Sequence, residues 1–238
     1  MTSRLHVHHV PAATTVVAGP PVLFVHGLAS RGRVDWPDAE WGTPFAAAGR
    51  ESFVVDLPVH GASFRPGEPL PPSAIVELLQ EVVRDAGGLV DVVAYSLGSR
   101  LSWDLLAGGG VRRAVLAGLS PRVEFGSVDL AAARRALAGG DPPADELTRM
   151  ILGMAQLPGL EPAEVLRLVE GLAREPFDAG RVPDLPLLLV RGADDQLTVG
   201  LDRLAAGIPR AHYLEVPGDH FGVLHTRRFQ RAVTGFVL

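Results

Sequence analysis

The chain contains no cysteine. That excludes disulfides, cysteine-ligated zinc and a thiolate nucleophile, so any nucleophile it carries is oxygen or nitrogen. Lysine is missing too: all 22 basic residues are arginine. Beside the abundance of Ala, Gly, Val and Pro, this reads as codon bias rather than as a binding surface. Basic charge is not in excess. A formal net charge of −5 and a pI near 5.9 give no reason to expect a polyanionic partner, so nucleic acid is not expected. No uninterrupted apolar stretch has the length that spans a bilayer, and the opening residues, MTSRLHVHHVPAATTVVAGPP, lack the apolar core of a secretory signal. The expectation is a cytoplasmic protein with no membrane partner. Internal repeats, linkers and low-complexity segments are also absent.

What is present is enough for one large core: 238 residues, 47% hydrophobic and 21% charged, the range of a single globular domain. The most informative stretch is DVVAYSLGSR, Asp91 to Arg100. Val92 and Val93 suit a short buried strand, and Leu101, Trp103, Leu105 and Leu106 continue as an amphipathic helix. A strand that turns into a helix over Ser96, with Ala94 and Gly98 at its second neighbours, has the nucleophile-elbow pattern. So tight a turn strains the serine backbone and needs flanks without bulk. Ala94 stands where glycine is usual, and it is the next smallest residue.

Along the chain, Leu5–Val10 and Thr14–Val17 read as two strands around Pro11, an antiparallel entry to a sheet. His6 and His8 then share a face, as solvent-facing edge residues rather than metal ligands, because no carboxylate is close in sequence. Pro21–Val25 is an apolar strand running into His26-Gly27-Leu28. Trp36 to Ala48 is helical at its later end, and Ser52–Val55 is a strand leading to DLPVHGAS. Ser73–Asp85 has the spacing of a helix packed on a sheet, ended by Gly87-Gly88. After the elbow, Ala114–Ala117 is another strand. From 121 to 183 no strand pattern occurs. Three helical stretches, Leu130–Leu137, Glu146–Leu157 and Ala163–Ala173, are separated by proline or glycine and look like an inserted lid. Leu185–Val190 and Ala211–Val216 are strands, and Thr226–Val237 is a final helix. The order implies an α/β fold: a mostly parallel central sheet covered by helices on both faces, its core in 1–120 and 184–238 and the lid in 121–183.

A serine hydroxyl needs a base to take its proton, and the base works best when a carboxylate fixes its tautomer. Two strand ends offer partners: Asp194 and Asp195 in VRGADDQLT, and His220 in VPGDHFGVL, with His225 a little further on. Asp219 and His60 read as turn residues.

Taken in order, FVHGL, DLPVHGAS, VVAYSLGSR, VRGADDQLT and VPGDHFGVL resemble the α/β-hydrolase superfamily across nearly the whole chain. The resemblance implies Ser96 as nucleophile, Asp195 as acid and His220 as base. It implies an oxyanion hole from the backbone N–H groups of Leu28 and Leu97, with no metal and no organic cofactor. Val59 stands where the family usually has glycine. His26, at a strand end beside Gly27, reads as bracing its loop by a hydrogen bond rather than as a base; with Met150 and Met154 it is also a candidate substrate contact, the methionines as adaptable apolar side chains. The implied activity is hydrolysis of a small, mainly apolar ester or thioester, the small molecule being the one expected partner. Serine rather than aspartate at the elbow argues against dehalogenase or epoxide hydrolase chemistry. AYSLGSR and DLPVHGAS also resemble the lyase of menaquinone biosynthesis, whose elbow carries an arginine at the place of Arg100. A non-catalytic binding protein of the same fold is the third reading. Arg100 pointing into the pocket would favour an anionic substrate, whereas pairing with Asp104 would not.

Overall fold

The computed structural model describes residues 4–122 and 125–238. The end segment 1–3 of the expected core and positions 123 and 124 of the expected lid lie outside the described residues. Seven strands form one sheet in the order β1-β3-β2-β4-β5-β6-β7. They are β1 (His6–Val10), β2 (Val22–Val25), β3 (Ser52–Asp56), β4 (Val90–Tyr95), β5 (Val111–Ala117), β6 (Leu187–Gly192) and β7 (Ala211–Val216). Among the described residues only β1 runs antiparallel, pairing with β3 at the edge. The helices are α1 (Gly32–Asp35), α2 (Gly42–Ala47), α3 (Pro72–Asp85), α4 (Leu97–Ala107), α5 (Leu130–Leu137), α6 (Glu146–Ala155), α7 (Pro162–Leu172), α8 (Leu201–Ala206) and α9 (Arg227–Val237).

Side-chain alternation along the strands divides the core in two. Leu23 and Val25 of β2 face a layer containing Ile75 and Leu79 of α3, Leu101 and Leu105 of α4, and Leu201 of α8. Val22 and Phe24 face the other way, onto Trp36, Trp41, Phe45 and the Phe229, Val233 and Val237 stripe of α9. Central strands buried on both faces explain the continuous apolar runs VLFV and LLLV. At the end of the sheet away from the site, Asp91 is fully buried and accepts from Arg50 and Arg112.

Helices α5, α6 and α7 lie between β5 and β6 in sequence and pack on one another around Val128, Ala133, Ile151, Leu152, Leu166 and Val169. Asp129 and Asp145 accept from the backbone of Ala132 and Thr148 and so cap α5 and α6, and Pro162 opens α7.

Two expectations change. Thr14–Val17 is not a strand: it is a run of bends with Val16 and Val17 exposed, because no neighbouring strand pairs with it. Helix α8, set between Gly200 and Gly207, was not expected. His6 and His8 do lie at the edge, but each meets a carboxylate remote in sequence, Asp56 and Asp38 respectively, both at 3.1 Å. Among the described residues no group of three or more His, Cys, Asp or Glu is placed to hold a metal ion.

Candidate active site

The carboxyl ends of β2, β4, β5, β6 and β7 converge on one cleft, the usual place for a site in a parallel sheet. At its centre, β4 turns into α4 over Ser96, whose backbone sits at φ 51° and ψ −116°. A non-glycine residue held at positive φ costs about 1–3 kcal/mol and persists only where its surroundings enforce it. The enforcement is visible next door. A Cβ on Gly98 would overlap the carbonyl oxygens of Val25 and His26, whereas the methyl of Ala94 is accommodated in the buried ladder with β2. Only the second flank therefore requires glycine.

The loop after β7 brings His220 over the serine. His220 Nε2 lies 2.9 Å from Ser96 Oγ, and Nδ1 lies 2.8 Å from Asp195 Oδ2. The carboxylate can only accept, so Nδ1 carries the proton and Nε2 is left to accept from the serine hydroxyl. Asp195 is buried and also accepts from the Leu197 N–H at 2.9 Å, which orients it. Asp194 is exposed and takes no part. His225 is exposed, one turn beyond. The Tyr95 hydroxyl donates to the His220 carbonyl, tying the backbone of His220 to the residue before Ser96. Burial raises the Tyr95 phenol, with Asp195 and Asp35 adding to the effect, so it stays a donor. Asp219 accepts from the N–H groups of Phe221 and Gly222 and shapes the turn that presents His220.

The loop after β2 forms the facing wall. Among the described residues, no acceptor meets the N–H of Leu28 or of Leu97, and both residues line the cleft beside Ser96. Two histidines brace this loop from behind. His26 Nε2 accepts from the Leu57 N–H at 2.9 Å, and His60 Nε2 accepts from the Ala29 N–H at 3.0 Å. Backbone N–H groups can only donate, so each ring carries its proton on Nδ1, which donates to Gly27 O and Pro58 O respectively. Both rings are fully buried. Burial, reinforced by His60, pushes His26 down to about 3, and burial pushes His60 down to about 4. Neither is charged at neutral pH. His26 is thereby removed from the candidate substrate contacts: its ring lies behind the cleft with both nitrogens bonded to the main chain. His60 is more than a turn residue, since it holds the loop carrying Leu28. Val59 keeps the φ of +67° that glycine usually supplies.

The cleft opens on one side of Ser96 and is walled by Leu28, Leu97, Phe125, Met150, Ile151, Met154 and Leu197. Met150 and Met154 do line it, both from α6. Arg100 also reaches this wall, but its guanidinium is held by Asp104 Oδ2 at 2.6 Å and the Glu175 carbonyl, over the ring of Phe177. A line of hydroxyl, imidazole and buried carboxylate, next to two N–H groups without acceptors, can generate an alkoxide-like nucleophile and receive an oxyanion. Asp35, which nothing in the sequence singled out, opens on the opposite side of the serine.

A family model described as the alpha/beta hydrolase family matches residues 22–232. No curated protein matches the sequence. Solved structures with the same fold include MenH from S. aureus (18% identity, 99% of this chain and 98% of that one, TM-score 0.79). A thermophilic esterase from Thermogutta terrifontis is similar at 18% identity, over 97% and 92% of the two chains, with TM-score 0.75. The enol-lactonase from Burkholderia xenovorans LB400 is similar at 17% identity, over 98% and 95%, with TM-score 0.75.

Proposed function

We propose, from the premise that this chain belongs to the alpha/beta hydrolase family, that it is a serine hydrolase cleaving a carboxylic ester or thioester of a small, mainly apolar substrate through an acyl-enzyme. The observation that carries this reading is the position of His220 between Ser96 and Asp195, within hydrogen-bond distance of both. Ser96 Oγ attacks the acyl carbonyl as His220 Nε2 takes its proton. Asp195 holds the imidazole in the required tautomer and stabilises the imidazolium. The oxyanion is received by the N–H groups of Leu28 and Leu97. Collapse expels the alcohol or thiol, which leaves with the proton from His220. Water, deprotonated by the same imidazole, then attacks the acyl-enzyme and releases the acid.

The substrate class rests on the cleft, since the esterase and the enol-lactonase share only the fold. Its apolar wall of leucines, Phe125 and the α6 side chains offers no counter-charge to a charged acyl group apart from Arg100, which is already paired with Asp104 and bonded to the Glu175 carbonyl. Helices α5, α6 and α7 act as a lid, α6 supplying most of the contact. Elimination, as in the menaquinone lyase resemblance, is the second reading and draws on Arg100 reaching the cleft. Its bonds to Asp104 and Glu175 support hydrolysis as the first reading. The intact Ser, His and Asp line disfavours a purely binding role.

Fluorophosphonate labelling tests the proposal. A single adduct on Ser96, lost in Ser96→Ala together with turnover of short-chain p-nitrophenyl esters, is the expected result. The residual rate of that variant should be no more than about 10³- to 10⁴-fold over water. Wild-type turnover in Ser96→Ala would end the mechanism.

A further inference from the structure

The cleft has a second chamber. It meets the first at Leu28, Ser96, Met154 and His220, and extends the other way over Ser30, Asp35, Phe221 and His225. Its wall includes the loop that carries His220. In acyl transfer the base must hand its proton to the departing oxygen or sulfur, so the leaving group belongs on the side of the imidazole's own loop.

Asp35 is the unusual group there. It is 8% exposed, on α1, and its Oδ2 accepts from the Gly27 N–H at 2.9 Å while Oδ1 accepts from the Ser30 hydroxyl. Each carboxylate oxygen has a second lone pair, and among the described residues no arginine or histidine lies within ion-pair distance of it. A Cβ built on Gly27 would stand 3.3 Å from Ser96 Cβ and 3.7 Å from Asp35 Oδ2, so serine and carboxylate flank a single glycine. A buried carboxylate is ordinarily paired, and this one lines the second chamber. Burial also raises the Asp35 carboxyl above its ordinary value, against the pull of Gly27, Ser30 and the more distant His225. An ionised carboxylate in that position gains from any added donor.

Resting on the hydrolase reading above, we propose that the second chamber receives the leaving group, and that Asp35 selects leaving groups that present a hydrogen-bond donor, a hydroxyl or an ammonium. Carboxylate-bearing leaving groups are repelled, and plain alkyl ones leave the free lone pairs unmet. The exposed ring of Phe221 at the rim covers the carbon skeleton of the group.

Three butyrate esters test this with the acyl part held constant: glyceryl monobutyrate, 2-(dimethylamino)ethyl butyrate, which is an ammonium at neutral pH, and n-propyl butyrate. At least one of the first two should exceed n-propyl butyrate in kcat/KM by tenfold or more, and the preference should vanish in Asp35→Asn. Which of the two is favoured tells hydroxyl from ammonium. Asp35 also holds the loop bearing Leu28, so a merely structural role would lower all three esters in parallel and leave the ratios unchanged. That result, or three esters within about twofold in the wild type, overturns the inference. Should Asp35→Asn not fold, Ser30→Ala removes the hydroxyl held by Asp35 Oδ1, and the ratio of the favoured donor-bearing ester to n-propyl butyrate should rise; an unchanged or lowered ratio overturns the inference as well. Failure of the hydrolase reading looks different: no fluorophosphonate adduct on Ser96 and no turnover of any of the three.

Discussion

Lowering the pH from about 7.5 to about 5 is expected to remove about 4 kcal/mol from the folding free energy through His26 and His60 alone. Both imidazoles titrate at 6.5 in the unfolded chain, but fall to about 3 and about 4 when buried behind the Leu28 loop. Between those values the unfolded chain binds protons that the folded one refuses. Their stabilisation is therefore complete above pH 6.5 and is lost as the pH falls, until the folded rings themselves protonate. At pH 5 each ring lies about 1.5 units below its unfolded value, worth about 2 kcal/mol apiece. Against a typical total of about 5–15 kcal/mol, that is a large share. The raised Asp35 carboxyl works in the opposite direction, regaining some stability in acid. The decisive quantity is therefore a difference between variants. Urea unfolding of wild type, His26→Gln and His60→Gln at the two pH values, with constant m, should show the pH-dependent loss reduced by about 2 kcal/mol in each variant. Glutamine can still accept the backbone N–H but does not titrate. A wild-type loss below about 1 kcal/mol, or equal losses in all three proteins, would refute the assignment of neutral, backbone-bonded rings.

Asp195→Asn should lower kcat by roughly 10³- to 10⁴-fold while Asp194→Asn stays within about twofold, measured with a p-nitrophenyl ester; equal mild effects would mean that the acid lies elsewhere. Gly98→Ala should destabilise by about 3 kcal/mol in urea unfolding, because its methyl meets two backbone carbonyls, whereas Ala94→Gly should cost less than about 1 kcal/mol. Ester hydrolysis should survive Arg100→Ala, with the loss appearing chiefly as lowered thermal stability; activity only on an anionic polycarboxylate, abolished by that substitution, would favour the lyase.

The sheet was legible because its strands are apolar and end in glycine or histidine turns, and Ser96 because its flanks are small. Asp195 and His220 needed the ordered motifs, since two adjacent aspartates look alike until one is buried. What escaped was set by contacts distant along the chain. Thr14–Val17 has strand composition but no partner, and the seven residues of GLDRLAA carry too few apolar side chains to announce α8. His60 looks like a turn residue because its burial depends on β2 and β3 lying side by side. Asp35 lies in GRVDW with nothing nearby to mark it; only the fold sets it beside the serine.

Helix α6 contributes Met150, Ile151 and Met154 to the cleft, while the hydroxyl, imidazole and carboxylate all hang from sheet loops. Packed in a small core with α5 and α7, that helix supplies side chains to the cleft but none to the line of Ser96, His220 and Asp195. On the proposed hydrolase reading, selection for a new substrate has a short contiguous stretch of gene to work on, and libraries confined to codons 146–157 would vary the cleft wall while leaving Ser96, His220 and Asp195 as they are.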